Sequence, residues 1–313
     1  MKKRIFQSFI LIIAIGISGC RNVNDIENQS LITENESQFT ERMEAESEEI
    51  EIKDSETVKE ESLFIEPAGN TLETRILTPE GYVRKTVEEG SLLEFLRNYS
   101  VKEDASPVLL YDGSKKRNQD AHIAVLDLPI ENADLQQCAD SVMRVYAEYF
   151  LVIGQQERIS FHFTNGFEAP YMKWVEGYRI KVDGNDVSWV KSAEYDDSYE
   201  SFVKYMRVVF TYAGTLSMDA EAEEITIENL QPGDIFIKGG SPGHVVMVVD
   251  ICENEQGKKA YLLAQGYMPA QEFHVLKNPL RERDPWYYEE DITCPFLTPE
   301  YVFEEGSMQR LNY

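Results

Sequence analysis

An α+β fold, with helices packed on an antiparallel β-meander, is what this sequence predicts, on three observations. Helical periodicity comes first in the chain, in LQQCADSVMRVYAEYFLV (135–152) and DDSYESFVKYMRVVFTYAGT (196–215). Strand-like runs crowd the last third, at Asp234–Lys238, His244–Cys252, Lys259–Gln265 and Glu272–Leu276. The turns between those four runs are too short for crossover helices, so neighbouring strands must run antiparallel. Helices followed by a meander, without β–α alternation, make an α+β chain.

Taken in order, Met1-Lys2-Lys3-Arg4 is a basic start, residues 5–18 are almost wholly apolar, and the stretch closes on Ile17-Ser18-Gly19-Cys20. A basic start, an apolar middle shorter than the ~20 residues a bilayer span needs, and small residues at the end describe a secretory signal over residues 1–20. A cysteine directly after Ser-Gly resembles the lipobox of bacterial lipoproteins. That resemblance implies acylation of Cys20 and a mature chain anchored in the lipid bilayer, outside the cytoplasm. Residues 21–66 hold 15 acidic against 4 basic side chains. Too little apolar surface is present to offset chain entropy, and like charges keep the chain extended, so this is expected to be an acidic disordered tether.

Residues 67–313 remain as a single globular domain, long enough for one large unit or two small ones. The formal charge of −26 becomes −18 for this part once the +3 of residues 1–20 and the −11 of residues 21–66 are set aside. Such a surface excludes nucleic acid and anionic lipid as partners, since phosphates would be repelled. With Cys20 lipidated, Cys138, Cys252 and Cys294 are left, an odd number, and a Cys252–Cys294 bridge stays open. The histidines, at 122, 162, 244 and 274, are scattered and no Cys-x-x-Cys occurs, which argues against a structural zinc site. No cofactor is expected.

Within the domain, LLEFLRN (92–98) makes a short helix and AHIAVLDL (121–128) a buried strand. Asn132 and Asp134 offer caps to the helix whose stripe is Leu135, Cys138, Ala139, Val142, Val145 or Tyr146, and Tyr149. RISFHF (158–163) and GYRIKV (177–182) read as strands around the aromatic loop TNGFEAPYMKW (164–174). The helix over 196–215 starts on carboxylates that suit its dipole.

Three residues could do chemistry together. Alternation in HVVMVVD puts His244, Val246, Val248 and Asp250 on one face of a strand covered on both sides, with His244 at its rim beside a glycine-rich loop. A turn centred on Glu253–Gly257 places His244 opposite residue 265 or 266, so Gln265 could orient the imidazole. Cys138 lies in the first turns of its helix, where N–H groups and the dipole favour a thiolate and a lowered pKa. Each has a plainer reading as well: a turn histidine, a strand-end glutamine, and a small core hydrophobe on an apolar stripe. Together they supply nucleophile, base and orienter.

PGDIFIKGGSPGHVVMVVD resembles the core of NlpC/P60-type cysteine peptidases, in which Pro-Gly-Asp leads one strand and Gly-His opens the next. The resemblance implies a papain-like core with Cys138 as nucleophile, His244 as base and Gln265 as third member. The chain departs from it at Gln137-Cys138-Ala139-Asp140, where that family has Asp-Cys-Ser, and its longer Cys-to-His spacing implies an insertion over residues 155–225. Across residues 67–313 the chain also resembles a bacterial lipoprotein family known by its domain of unknown function 4846, through DLQQCADSVMRVYAEY, FTNGFEAPYMKWVEGYR and LLAQGYMPAQEFHVLKNP.

Tyr171, Trp174 and Phe167, with Trp286, Tyr287 and Tyr288, could stack on sugars or line a peptide cleft, or could cap the core. Arg144 and Arg179 could receive a substrate carboxylate, or pair with Glu148 and Glu176. The expected function is a membrane-tethered cysteine amidase or peptidase acting on cell-wall peptide or a related amide. A non-catalytic envelope module binding glycan or peptide on the same fold is the alternative.

Overall fold

The structure, a computed structural model, describes residues 64–313. The signal, Cys20 and nearly all of the acidic segment expected over residues 21–66 lie outside the described residues. Helices span Leu72–Arg75 (α1), Leu92–Asn98 (α2), Cys138–Val152 (α3), Tyr171–Val175 (α4), Tyr199–Tyr212 (α5) and Thr215–Glu221 (α6). Strands span Tyr82–Val83 (β1), His122–Val125 (β2), Tyr178–Asp183 (β3), Asp186–Lys191 (β4), Ala222–Glu224 (β5), Ile235–Lys238 (β6), His244–Asn254 (β7) and Lys259–Gln265 (β8). The chain closes with His274–Leu276 (β9), Tyr287–Tyr288 (β10), Phe296–Leu297 (β11), Val302–Phe303 (β12) and Met308–Leu311 (β13).

β6, β7, β8 and β9 pair consecutively and antiparallel, as the short turns required. β2 extends this meander beyond β9, β13 and β5 extend it beyond β6, and β1 and β10 pair with β7 and β8. The result is an α+β chain with one large antiparallel sheet. Residues 155–225 hold α4, the β3–β4 hairpin, α5 and α6, and end on β5, which joins the large sheet through β13.

β7 is buried on both faces. Val245, Met247 and Val249 join the larger cluster with Val142 and Phe150 of α3, whereas Val246 and Val248 join Phe236, Tyr261, Phe296 and Phe303 in a second cluster. The register pairs Met247 with Ala264 and Val248 with Leu263, but Asp250 with Leu262, so β7 carries one surplus residue at Val249. This bulge corrects two expectations. Asp250 pairs with Leu262, which belongs to the α3-side cluster, and so lies on the face opposite His244. Continued past Ala264, the register sets Gln265 beside Val246, diagonal to His244 on the same face. An unbulged ladder would have set it beside Met247, pointing the other way.

Local chemistry explains the other differences. α2 is capped by Ser91, whose hydroxyl accepts from Glu94 N. α3 starts at Cys138, later than Asn132 and Asp134 suggested, because Asp134 is engaged elsewhere: its Oδ1 accepts from Ala270 N at 2.7 Å and Gln137 Nε2 at 3.0 Å. Gln137 is the N-cap, and its N–H donates to Asp140 Oδ2 at 3.0 Å. The 196–215 helix breaks at Ala213-Gly214 and restarts as α6. RISFHF alternates as expected, with Ile159, Phe161 and Phe163 buried. Its backbone, however, bonds to the returning loop (Ala169 N to Phe161 O, Tyr171 N to Ile159 O) and to the Glu221 carboxylate (from His162 N), with a single isolated bridge and no ladder strand.

Candidate active site

α3 packs across β7 and β8 with its first residue, Cys138, where these strands separate. Gly266, the residue after β8, makes this approach possible. A Cβ there would sit 2.4 Å from Ser141 Oγ and 2.9 Å from Gln137 O, so any larger residue would push the helix start away. The backbone N–H groups of Ala139, Val245 and Cys138 lie near enough to the thiol sulfur to favour its charged form. Val245 directly follows His244. Cys138 also borders a cavity of about 450 Å³, together with Gln137, Thr164, Phe210, Gly214, Gly243 and Met268.

The imidazole lies on the neighbouring turn of chain. His244 is buried, with ring centroids 4.6 Å from Tyr267 and 4.9 Å from Tyr301. Its Nε2 is 2.7 Å from Gln265 Oε1. Among the described residues no hydrogen bond joins the ring to the Cys138 thiol.

Burial dominates the electrostatics. It pushes the Cys138 thiol up to about 11, Asp140 adds to that, and the helix-start N–H groups oppose it only in part. The lowered pKa expected from the helix position is therefore corrected: desolvation outweighs the dipole. Asp140, also buried, is raised to about 8 and holds its proton at neutral pH. Burial lowers His244 to about 4, against the bond that its ring donates to Gln265 and with the help of Lys116. The resting pair is a neutral thiol and a neutral imidazole.

The other candidates do not reach the cavity. Tyr171 and Trp174 are buried against α5, the indole N–H donating to Ser201 Oγ at 3.1 Å. Trp286 is wholly buried and donates to Leu77 O at 2.9 Å. Arg144, 1% exposed, pairs with Glu148 at 2.7 Å and donates to Tyr199 OH at 2.8 Å. Arg179 stacks on Trp174 at 4.1 Å and donates to the carbonyls of Trp174 and Tyr178. Each follows the plainer reading of its residue type, core capping or internal pairing. Cys252 and Cys294 are both free thiols, one buried and one exposed.

Behind His244 lies a polar row that sequence reasoning missed. Gln265 Nε2 donates to Glu300 Oε2 at 2.7 Å, and Lys116 Nζ bonds both that carboxylate and His274 Nε2, the latter at 3.2 Å. No local pattern marks Glu300, which sits between β11 and β12, far along the chain from every residue it touches.

An antiparallel α+β domain with a buried thiol, imidazole and carboxamide clustered at one end of its two central strands is the class that fold and site define. The chain belongs to the family described as Domain of unknown function (4846), which matches residues 72–310. No curated protein and no solved structure matches it. Among the described residues no helix is long and apolar enough to cross a membrane, and no group of His, Cys, Asp and Glu side chains is arranged to hold a metal ion.

Proposed function

We propose that this protein is a membrane-tethered, extracytoplasmic cysteine hydrolase that cleaves an amide bond in a cell-wall peptide or a related peptide. One observation carries the reading. The start of α3 brings the Cys138 sulfur to the amide of Val245, next to a histidine whose ring is held by Gln265 at 2.7 Å. The order thiol, imidazole, carboxamide along the chain agrees with the NlpC/P60 likeness and its papain-like core. The tether rests on the lipobox-like Cys20 and the acidic segment after it.

In this reaction Gln265 occupies Nε2 of His244, and Nδ1 is the base. As Cys138 attacks the substrate carbonyl, its thiol proton passes to His244 and the carbonyl electrons move to oxygen, where helix-start N–H groups receive the oxyanion. His244 returns the proton to the leaving amine, the C–N bond breaks, and a thioester remains. Water, deprotonated by the same nitrogen, then releases the acid and restores the thiol. With the thiol near 11 and the imidazole near 4, no standing ion pair exists, so proton transfer accompanies attack and does not precede it. The cavity beside Cys138 is of ligand size.

Purified full-length protein incubated with muropeptides and analysed by mass spectrometry tests the reading. Cleavage that Cys138→Ser and His244→Ala both abolish is the expected result. Intact peptides throughout, with no acyl adduct on Cys138, would overturn it. The raised thiol pKa and the covered imidazole favour a second reading, a non-catalytic module that binds such peptides at the same cavity. In that case the peptides raise the melting temperature of wild type and of Cys138→Ser equally, and none is cut.

A further inference from the structure

We infer that Glu300 is a positioning residue for His244: acting through the Gln265 amide, it sets which imidazole nitrogen carries the proton. A glutamine amide has an accepting end and a donating end, and either could face a histidine. Here the Oε1 of Gln265 lies 2.7 Å from His244 Nε2, while its Nε2 lies 2.7 Å from Glu300 Oε2 and 3.5 Å from His274 Nε2. An ionised carboxylate only accepts, so the NH₂ end must face Glu300 and the oxygen must face His244. The proton then belongs on Nε2, and Nδ1 keeps its lone pair.

The far end of the row holds Glu300 in that accepting role. Lys116 donates to the same carboxylate oxygen, and Asn118 Nδ2 donates to the other at 3.1 Å. The second contact of Lys116 obeys the same accounting. His274 Nδ1 lies 2.8 Å from the Glu272 carbonyl and must be the donor there, which leaves Nε2 to accept from Lys116 at 3.2 Å. Every donor in the row therefore faces acceptors only: Lys116 faces His274 and Glu300, the Gln265 NH₂ faces Glu300 and His274, and His244 faces Gln265. Turning the Gln265 amide over would set its carbonyl against a carboxylate inside the protein, where such a mismatch is least tolerable. Glu300 does not border the cavity and touches neither Cys138 nor any place a substrate would occupy, so its effect passes through Gln265.

The experiment is nitrogen-15 NMR of the histidine rings at neutral pH in the full chain, with cleavage rates measured beside it. Wild type should give a protonated Nε2 and an unprotonated Nδ1 for His244. The opposite tautomer in wild type overturns the inference at once, whatever any variant does. Glu300→Leu should mix the two tautomers, whereas Glu300→Gln, which keeps an acceptor beside Lys116, should restore the wild-type pattern. Asn118→Ala, which trims the same cluster without touching the amide, should leave it unchanged.

The activity arm rests on the hydrolase reading. Glu300→Leu should slow cleavage at least about tenfold, toward the ~10⁴ that a wrong tautomer costs a serine triad. In a Gln265→Ala background the same change should cost nothing further. A Glu300→Leu protein that melts earlier but keeps the wild-type tautomer would make Glu300 structural and end the proposal. A tautomer shift in a protein that cuts no peptide would uphold the positioning role while the hydrolase reading fails.

Discussion

Strand β7 carries two buried polar clusters, one at its first residue and one past its bulge, and the two are built on different rules. At Asp250 every acceptor is filled by a fixed donor. Arg84 Nε lies 2.6 Å from Oδ2, while Arg97 Nε and the Ile251 N–H each lie 2.8 Å from Oδ1. Both guanidinium groups also donate to backbone carbonyls, Arg84 to Ile76 and Arg97 to Lys85 and Ile251. At His244 the row runs through Gln265 to Glu300 and Lys116, yet stops at an imidazole whose second nitrogen has no hydrogen bond among the described residues. A closed cluster joins α2 and the segment after β1 to the sheet. An open one leaves a lone pair free for chemistry. The difference teaches that burial and pairing alone do not single out a site; the proposed reading rests on the nitrogen left unpaired at His244, next in the chain to Gly243 at the cavity wall.

The largest effect should come from closing arithmetic at the Asp250 end. Asp250→Ala strands two buried cations and should cost about 3–5 kcal/mol in urea denaturation. Peptide cleavage per folded molecule should stay unchanged, which is the sharpest statement of the contrast.

Next comes pH. His244 is neutral in the fold with its pKa lowered to about 4, so the contribution of this site is intact above the unfolded value near 6.5 and lost as pH falls toward 4. Up to about 3 kcal/mol is at stake. Denaturation midpoints between pH 7 and pH 4 should fall less steeply in His244→Gln, with the similarly depressed His274 retaining part of the slope.

Gly266→Ala should cost about 1–3 kcal/mol by lifting the α3 start from β8, and should slow cleavage while leaving the Asp250 cluster intact. Gln265→Ala leaves a ring N–H and a carboxylate without their partner, at about 1–3 kcal/mol. Its cleavage rate should drop by more than that loss of stability accounts for. The smallest change is Asp140→Asn. Removing the carboxylate that adds to burial in raising the Cys138 thiol should bring it down from about 11 by less than burial holds it up, as read from the pH dependence of alkylation.

Periodicity was legible and phase was not. The residues of β7, β8 and α3 announce their elements through alternation and a 3.6-residue stripe. Nothing in VVMVV marks the bulge at Val249, because valine and methionine suit either face, so the partner and side of Gln265 and Asp250 could not be counted from the turn. The position of Cys138 at a helix start was readable; the depth of its burial, which reverses the expected pKa, depends on Gly266 and on strands more than 100 residues away. Trp174, Tyr171 and Trp286 are amphipathic, and only the tertiary fold reveals which of their neighbours are protein. Glu300 acquires meaning solely from contacts across the chain.

The surplus residue in β7 has a consequence for how this strand can change length. Its apolar middle is interchangeable between faces, so a one-residue deletion there can be absorbed by straightening the ladder, with His244 and Asp250 still turned apart. An insertion has no such reserve: it would swing the carboxylate round into the layer of Tyr261, Phe296 and Phe303, or drag the histidine out of reach of its amide. Drift in this strand should therefore run toward shortening, and a variant one residue longer should fail at whichever end gives way first.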